Sequence, residues 1–149
     1  MNLQELIIPE SRKKIELLAK TIYGEAEGEG LIGQVAVGWV IRNRADDPGK
    51  DWWGDNIEEV ALRSGQFECW IKRKDVLDNL DLVHDPMGRQ CLFVAVGVIY
   101  DYLIDPTGGS DHFIAKWMAD KGVAPKWAME HDCTKIIGKH IFYKLGSGN

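Results

Sequence analysis

The stretch 15-IELLAKTIYGEAEGEGLIGQVAVGWVIRNR-44 decides the fold, because it sets two helix patterns around one acidic, glycine-rich turn. Ile15, Leu18, Ala19, Ile22 and Ala26 fall at i, i+3, i+4, i+7 and i+11, which is one face of a helix and a core face. At about 100° per residue Glu25 falls on the rim of that apolar stripe, beside Leu18 and Ile22, whereas Glu27 points to the opposite side and is expected to be solvated. A carboxyl on such a rim is partly desolvated, which disfavours its charged form and raises its pKa towards the range of a proton donor near neutrality. Glu25 is therefore the candidate acid. Gly24, Gly28 and Gly30 predict a helix end near Gly28, a turn carried by Gly28 or Gly30, and open space around Glu25. From Leu31 to Ile41 the chain is apolar nearly all round, with Gly33, Ala36 and Gly38 as small positions, which predicts a second helix at the domain centre. On these residues alone, a helical hairpin whose acidic turn is only a solvated loop is the plainer reading.

Working outward, the 149 residues make one ordinary domain able to bury roughly 70% of the surface of the unfolded chain without disulfides or metal. A hydrophobic content of 45% with 28% charged residues is that of a soluble globular protein, and no apolar run reaches membrane-spanning length. The N-terminus, MNLQELIIPESRKK, has no long apolar core with a cleavage site, so no signal peptide is expected and synthesis is placed in a cytoplasm. Cys69, Cys91 and Cys133 are odd in number and widely spaced, as reduced buried thiols would be. A formal charge of −5 argues against nucleic acid as a partner and gives no steering towards anionic wall polymers.

Pro9 with Ser11 marks the start of the first helix, Ser11 as a candidate cap. The segment from Ala45 to Asn56, ADDPGKDWWGDN, reads as a surface loop in which Trp52 and Trp53 either stack on sugar rings or anchor the loop to the core. Asn56 caps a helix from Ile57 to Arg63 that Gly65 ends. Next comes Gly65-Gln66-Phe67-Glu68-Cys69-Trp70. Gln66 offers a donor and an acceptor suited to hydroxyl and acetamido groups, and Phe67 and Trp70 offer apolar faces for a pyranose; a capped turn with two buried aromatics is the plainer reading. Lys72 to Asp78 reads as a charged, solvated helix. His84-Asp85-Pro86 breaks the chain, and Met87 to Ile104 is the longest helical pattern, with Leu92, Phe93, Val96, Ile99, Tyr100 and Leu103 on one face. Asp105-Pro106-Thr107-Gly108-Gly109 is a turn leading into a strand, Ser110 to Ile114. The ending IIGKHIFYKL, from Ile136 to Leu145, alternates well enough to pair with that strand as an antiparallel ribbon.

The string IYGEAEGEGLIGQVAVGWVIRNR, the Gly-Gln-Phe-x-Cys segment with Glu68 in place of a serine, the Asp-Pro-Thr-Gly-Gly turn and the Ile-Gly-Lys-His-Ile-Phe ending together resemble the SleB/CwlJ cell-wall hydrolase family, the spore cortex-lytic type. The likeness covers about residues 15 to 114 and 136 to 145 and fades over Ala115 to Lys135, an insertion-like stretch. It implies an α+β, mainly α, lysozyme-like domain of the lytic transglycosylase type with a small antiparallel β ribbon, spanning residues 1–149 as a single catalytic domain. It implies cleavage of the peptidoglycan glycan strand at muramic acid with Glu25 as general acid and base and with no cofactor. Tyr23, Gln66, Phe67, Trp70 and His112 are the candidate substrate contacts, and Asp111, expected exposed on its strand, is the guess for a second carboxylate should the reaction be hydrolysis. The family's wall-binding module and export signal are not found in the chain, which suits a bacteriophage lysin released by a holin or carried on a virion.

Two other classes stay open on sequence. A zinc amidase cutting between muramic acid and the stem peptide would draw ligands from His112, His131, Cys133 and His140, whose spacing fits no compact motif. A non-catalytic wall-binding module would have no need for a partly buried acid beside a glycine-rich opening.

Overall fold

The computed structural model describes residues 9–47, 53–63 and 67–146; the expectations for Trp52, Gly65 and Gln66 lie outside these residues. Three helices make the main core: α1 (Pro9–Ala26), α2 (Leu31–Asp46) and α6 (Pro86–Ile99). Ile15, Leu18, Ala19, Ile22 and Ala26 are all buried, so the spaced apolar face of α1 is its core face, and α6 lies along it. Burying a side chain of the size of Leu18 or Ile22 contributes about 1.5–3 kcal/mol. The small residue Gly38 lets α2 close on both partners, since a Cβ there would stand 3.1 Å from the side chains of Ile22 and Val98. Ser11 is not a cap: α1 already runs from Pro9, which puts Ser11 inside its first turns.

Helix α6 begins at Pro86, one residue before the expected Met87. The Asp85 carboxylate accepts the Gly88 N–H at 2.7 Å and Pro86 takes the first turn, where its missing N–H costs nothing. It ends at Ile99 rather than Ile104, because Asp101 adopts a left-handed φ of 63° and the N–H groups of Tyr102 and Leu103 donate back to the Gly97 carbonyl. Its buried face is also rotated from the expected one: Cys91, Leu92, Val94, Ala95 and Val98 are buried while Phe93 is exposed. Three short helices, α3 (Ile57–Leu62), α4 (Cys69–Lys72) and α5 (Lys74–Asp78), pack along α1. Asn56 caps α3 by accepting the Glu59 N–H at 2.9 Å, as its side chain suggests. Trp53 is fully buried, so it anchors its loop and offers no face to a sugar.

The remaining strands form one antiparallel sheet in the order β1 (His112–Ala115), β3 (His140–Tyr143), β2 (Lys135–Ile137). The closing segment is thus a hairpin, not one strand of a two-stranded ribbon: Gly138 turns the chain with φ 56°, and β3 becomes the central strand. β1 is fixed to α2 through the preceding turn, where Asp105 accepts the N–H and Oγ1 of Thr107, and Asn43 Nδ2 donates to Asp105 Oδ2 and to the Ser110 carbonyl, both at 2.9 Å. Alternation then assigns the faces. The pairs Phe113 with Phe142 and Ala115 with His140 share the face towards α2, where Phe142 packs on Ala36 and Val40. The pairs His112 with Tyr143 and Ile114 with Ile141 share the other face. That face is covered by the stretch where family likeness fades, which folds as α7 (Lys116–Asp120) and α8 (Lys126–Glu130) and builds a second small core from Ile114, Ile141, Tyr143 and Ala128. Cys69 and Cys91 are buried free thiols; Cys133, expected buried, is exposed. Among the described residues no helix is long and apolar enough to cross a membrane.

Candidate active site

A groove runs between the α1–α2 turn and the β1–α7 segment, in two adjoining halves of about 420 and 400 Å3, each the size of a small-molecule site. Glu25, Ala115, Trp117 and His140 border both halves. The first half adds Gly28, Glu29, Lys116 and Lys139; the second adds Arg44, Phe67, Phe113 and Met118. Glu25 therefore stands at the middle of the groove, half-buried at the end of α1. Burial pushes its carboxyl pKa up, and the Cys69 N–H, donating to Oε1 at 3.4 Å, only partly opposes this. Among the described residues it forms no ion pair. Cys69 is brought in by Gly24, which does not open space as expected but fills with its neighbour: a Cβ on Gly24 would meet Cys69 Cβ at 2.4 Å. Burial, then the adjacent Glu25, pushes the Cys69 thiol pKa up, so it stays a neutral S–H beside the carboxyl.

Glu27 is not on a solvated side. Glu27 closes α1, its N–H donating to the Tyr23 carbonyl at 3.0 Å, and Arg73, brought alongside from between α4 and α5, pairs with its carboxylate at 2.5 Å and leaves about a third of the side chain exposed. Arg73 also donates to the Gly24 carbonyl at 3.3 Å and lies over the Tyr23 ring, where its charge suits the helix C-terminus. Tyr23 stands with this cluster, apart from the groove walls. Trp70 is likewise committed elsewhere: its indole N–H donates to Thr21 Oγ1 at 2.9 Å and its ring packs on the main core. Phe67 is the expected contact that does border the groove, buried against Arg44 and Phe113.

His112 and Asp111 turn inward. His112 lies on the sheet face opposite the groove, between Trp53 and Trp127 with ring centroids at 5.9 and 4.9 Å, so it does not line the cleft. From β1 the groove takes Phe113, Ile114 and Ala115 instead. Asp111 is 5% exposed, and its carboxylate is used up by the Leu145 N–H at 2.9 Å, the Gly146 N–H at 2.8 Å and His112 Nδ1 at 2.7 Å. Burial alone would raise its pKa; these hydrogen bonds outweigh that and hold it below the usual carboxylate range. It is a structural anchor for the chain after β3, not a second carboxylate across a scissile bond. Of the four candidate zinc ligands, His112 and His140 lie on opposite faces of the sheet while His131 and Cys133 are exposed, and among the described residues no three His, Cys, Asp or Glu side chains gather as a metal site.

Sequence reasoning missed Arg44, Phe113, Trp117 and Glu29. Arg44 looks like the end of a helix, yet it is buried, donates from Nε to the Asp111 carbonyl at 2.7 Å and lies over the Phe67 ring at 5.3 Å. Burial brings its pKa down to about 10, which leaves it cationic at neutral pH. Phe113 could have been found by counting alternation from the correct strand start. Trp117 carried no signal, since it belongs to the insertion-like stretch.

Residues 28–143 match the profile of a family described as cell wall hydrolase. The chain belongs to that family. Among cell wall hydrolases of known sequence it is similar to the spore cortex-lytic enzyme of Halalkalibacterium halodurans, at 32% identity over 89% of this chain and 35% of that protein. It is also similar to that of Oceanobacillus iheyensis, at 29% identity over 90% of this chain and 42% of the relative. The chain thus spans less than half the length of these relatives. Among solved structures it matches the catalytic domain of SleB from Bacillus cereus with a TM-score of 0.68 and 28% identity, covering 90% of this chain and 91% of that one. The catalytic domain of the germination-specific lytic transglycosylase SleB from Bacillus anthracis gives 0.67 and 27%, covering 92% and 100%. The mainly α fold with its small antiparallel sheet is therefore that of the SleB catalytic domain. These are spore enzymes, so the bacteriophage setting expected from the sequence gains no support from them.

Proposed function

We propose that this domain cuts the glycan strand of peptidoglycan at muramic acid by lytic transglycosylation, with Glu25 as both acid and base. The observation that carries the reading is the state of Glu25: a half-buried carboxyl of raised pKa, free of any ion pair among the described residues, at the centre of a groove walled by Phe67, Phe113 and Trp117. Those rings supply flat apolar faces of the kind that pyranoses bind. The protonated carboxyl gives its proton to the glycosidic oxygen as the bond from the muramoyl anomeric carbon breaks. The resulting carboxylate takes the proton of the muramoyl C6 hydroxyl as that oxygen bonds to the same carbon, closing an anhydro ring and restoring the acid. The cycle needs no water and no second carboxylate, in keeping with an Asp111 engaged elsewhere. The family profile begins just after Glu25, so the role of this residue rests on its geometry and on the Tyr-Gly-Glu-Ala likeness. The activity named for the Bacillus anthracis SleB domain supports the same chemistry.

Mass spectrometry of purified peptidoglycan digested by the protein tests this. Anhydromuramoyl ends are expected. New reducing ends would replace the reading with hydrolysis, free stem peptides with an amidase, and an undigested polymer that retains the protein with a binding module.

A further inference from the structure

The groove holds one buried polar pair that this mechanism leaves unused. Glu29, from the α1–α2 turn, and His140, the first residue of β3, bring a carboxylate and an imidazole together across 3.2 Å, with only 9% and 11% of their side chains exposed. The pair is built rather than incidental. Glu29 Oε1 accepts the Lys139 N–H at 2.9 Å, and the hairpin carries a glycine at 138 where a Cβ would stand 2.6 Å from Glu29 Oε2. His140 Nδ1 is the ring nitrogen turned to Glu29. It is fully buried and, despite the short distance, lacks the alignment of a formed hydrogen bond. The ring packs edge-on to Phe113 at 4.9 Å, which holds its plane, and His140 borders both halves of the groove. With Nδ1 enclosed, Nε2 is the nitrogen left for the groove.

We propose that Glu29 fixes the tautomer of His140 with the proton on Nδ1, so that His140 Nε2 accepts a hydrogen bond from a hydroxyl of the saccharide bound beside Glu25. The inference rests on the glycan reading of the groove and adds to it a substrate contact, His140, and a positioning residue, Glu29. A neutral imidazole has one donor and one acceptor nitrogen, and a carboxylate facing Nδ1 favours the proton there. Burial lowers the His140 pKa, with Glu29 partly opposing, so the ring is neutral at pH 7 and Nε2 keeps its lone pair. An acceptor in a mostly apolar groove selects for a hydroxyl at that point, since a sugar lacking it leaves the nitrogen buried and unsatisfied.

The experiment uses Glu25→Gln as the background, so that substrate is bound but not consumed, with soluble peptidoglycan glycan strands freed of stem peptides as the probe. Titration calorimetry of Glu25→Gln alone is expected to show binding. His140→Ala on that background should weaken it by about tenfold, the worth of one good hydrogen bond, and His140→Gln, whose amide oxygen can still accept, should recover part of the loss. Nitrogen-15 shifts should show His140 as the Nδ1–H tautomer. Glu29→Ala, which removes the carboxylate facing Nδ1, should move the proton towards Nε2 and weaken binding, whereas Glu29→Gln, whose amide oxygen can keep the Lys139 N–H and still face Nδ1, should retain the Nδ1–H tautomer. Absence of binding by Glu25→Gln itself would overturn the glycan reading and this inference with it. Binding that both His140 variants leave within twofold, or an Nε2–H tautomer in the Glu29 parent, would overturn this inference and leave the glycan reading standing.

Discussion

Glu25 and Asp111 show how one side-chain type acquires opposite chemistry from its surroundings. Burial is the largest influence on Glu25, with the Cys69 hydrogen bonds opposing it only in part, and its pKa rises; Asp111 has two backbone N–H groups and a histidine that outweigh burial, and its pKa falls. The consequences for stability are opposite too. Because folded Glu25 binds its proton more readily than the unfolded chain does, its contribution is fully present below the ordinary carboxylate pKa and is lost as pH rises through the raised one. Glu25→Gln should therefore melt at a higher temperature than the wild type at neutral pH, with the difference closing on acidification, while activity falls by about 10²–10⁴-fold. Thermal unfolding over a pH series, with turnover of peptidoglycan at neutral pH, checks both halves; a variant less stable than the wild type at neutral pH would mean the carboxylate is well solvated or paired. Asp111 contributes above its unfolded pKa, and that stability is lost as pH falls through the depressed folded value. Asp111→Ala should lose about 1–3 kcal/mol for each donor left unpaired. Its remaining folded fraction should form the same products as the wild type, and denaturant titration paired with product analysis distinguishes this anchor from a catalytic acid.

At the scale of elements, the site depends on how closely α1 meets α4. Gly24 lets the Cys69 backbone reach Glu25, and the Trp70 indole, bonded to Thr21, fixes the same contact one residue on. Gly24→Ala puts a methyl where Cys69 Cβ and Sγ already stand, at 2.4 and 2.7 Å, and neither is the end of a long flexible chain. Overpacking of this kind costs about 1–3 kcal/mol. The variant should melt lower and also lose turnover beyond what its folded fraction explains, because pushing α4 away removes the N–H from Glu25. Normal kinetics at a temperature where the variant is fully folded would show that the α1–α4 contact is not part of the site.

Across the whole molecule, a helical core and a small sheet are joined where Phe113, Ile137 and Phe142, one from each strand, pack on α2. Phe142 is fully buried on β3 against Ala36 and Val40 of α2, while Ile141 and Tyr143, on the reverse face, hold the α7–α8 layer. The groove lies along this junction, with Glu25 on the helical side and His140 on the sheet side. Phe142→Ala should cost about 3–5 kcal/mol. It should also weaken glycan binding in an otherwise inactive Glu25→Gln protein, since the two walls would lose their common support. Calorimetric unfolding that shows a change below about 1 kcal/mol would mean that the sheet is held by its other contacts.

The sequence by itself determined what depends on short-range periodicity and on local hydrogen bonding. The α1 core face, the cap at Asn56, the break at His84-Asp85-Pro86, the Asp-Pro-Thr-Gly-Gly turn and the rim position of Glu25 are all set within one or two turns of chain. What only the tertiary structure decided begins where a helix or strand stops, because a phase argument holds only inside its element. Packing the α4–α5 junction against α1 brought Arg73 to Glu27, and the turn after α1 let Glu29 cross to the sheet. Starting β1 at His112 and making β3 central sent His112 and Asp111 inward and put Phe113 and His140 at the groove. No local pattern encodes those outcomes, since each contact joins residues far apart in the chain and is fixed by the packing of sheet on helix.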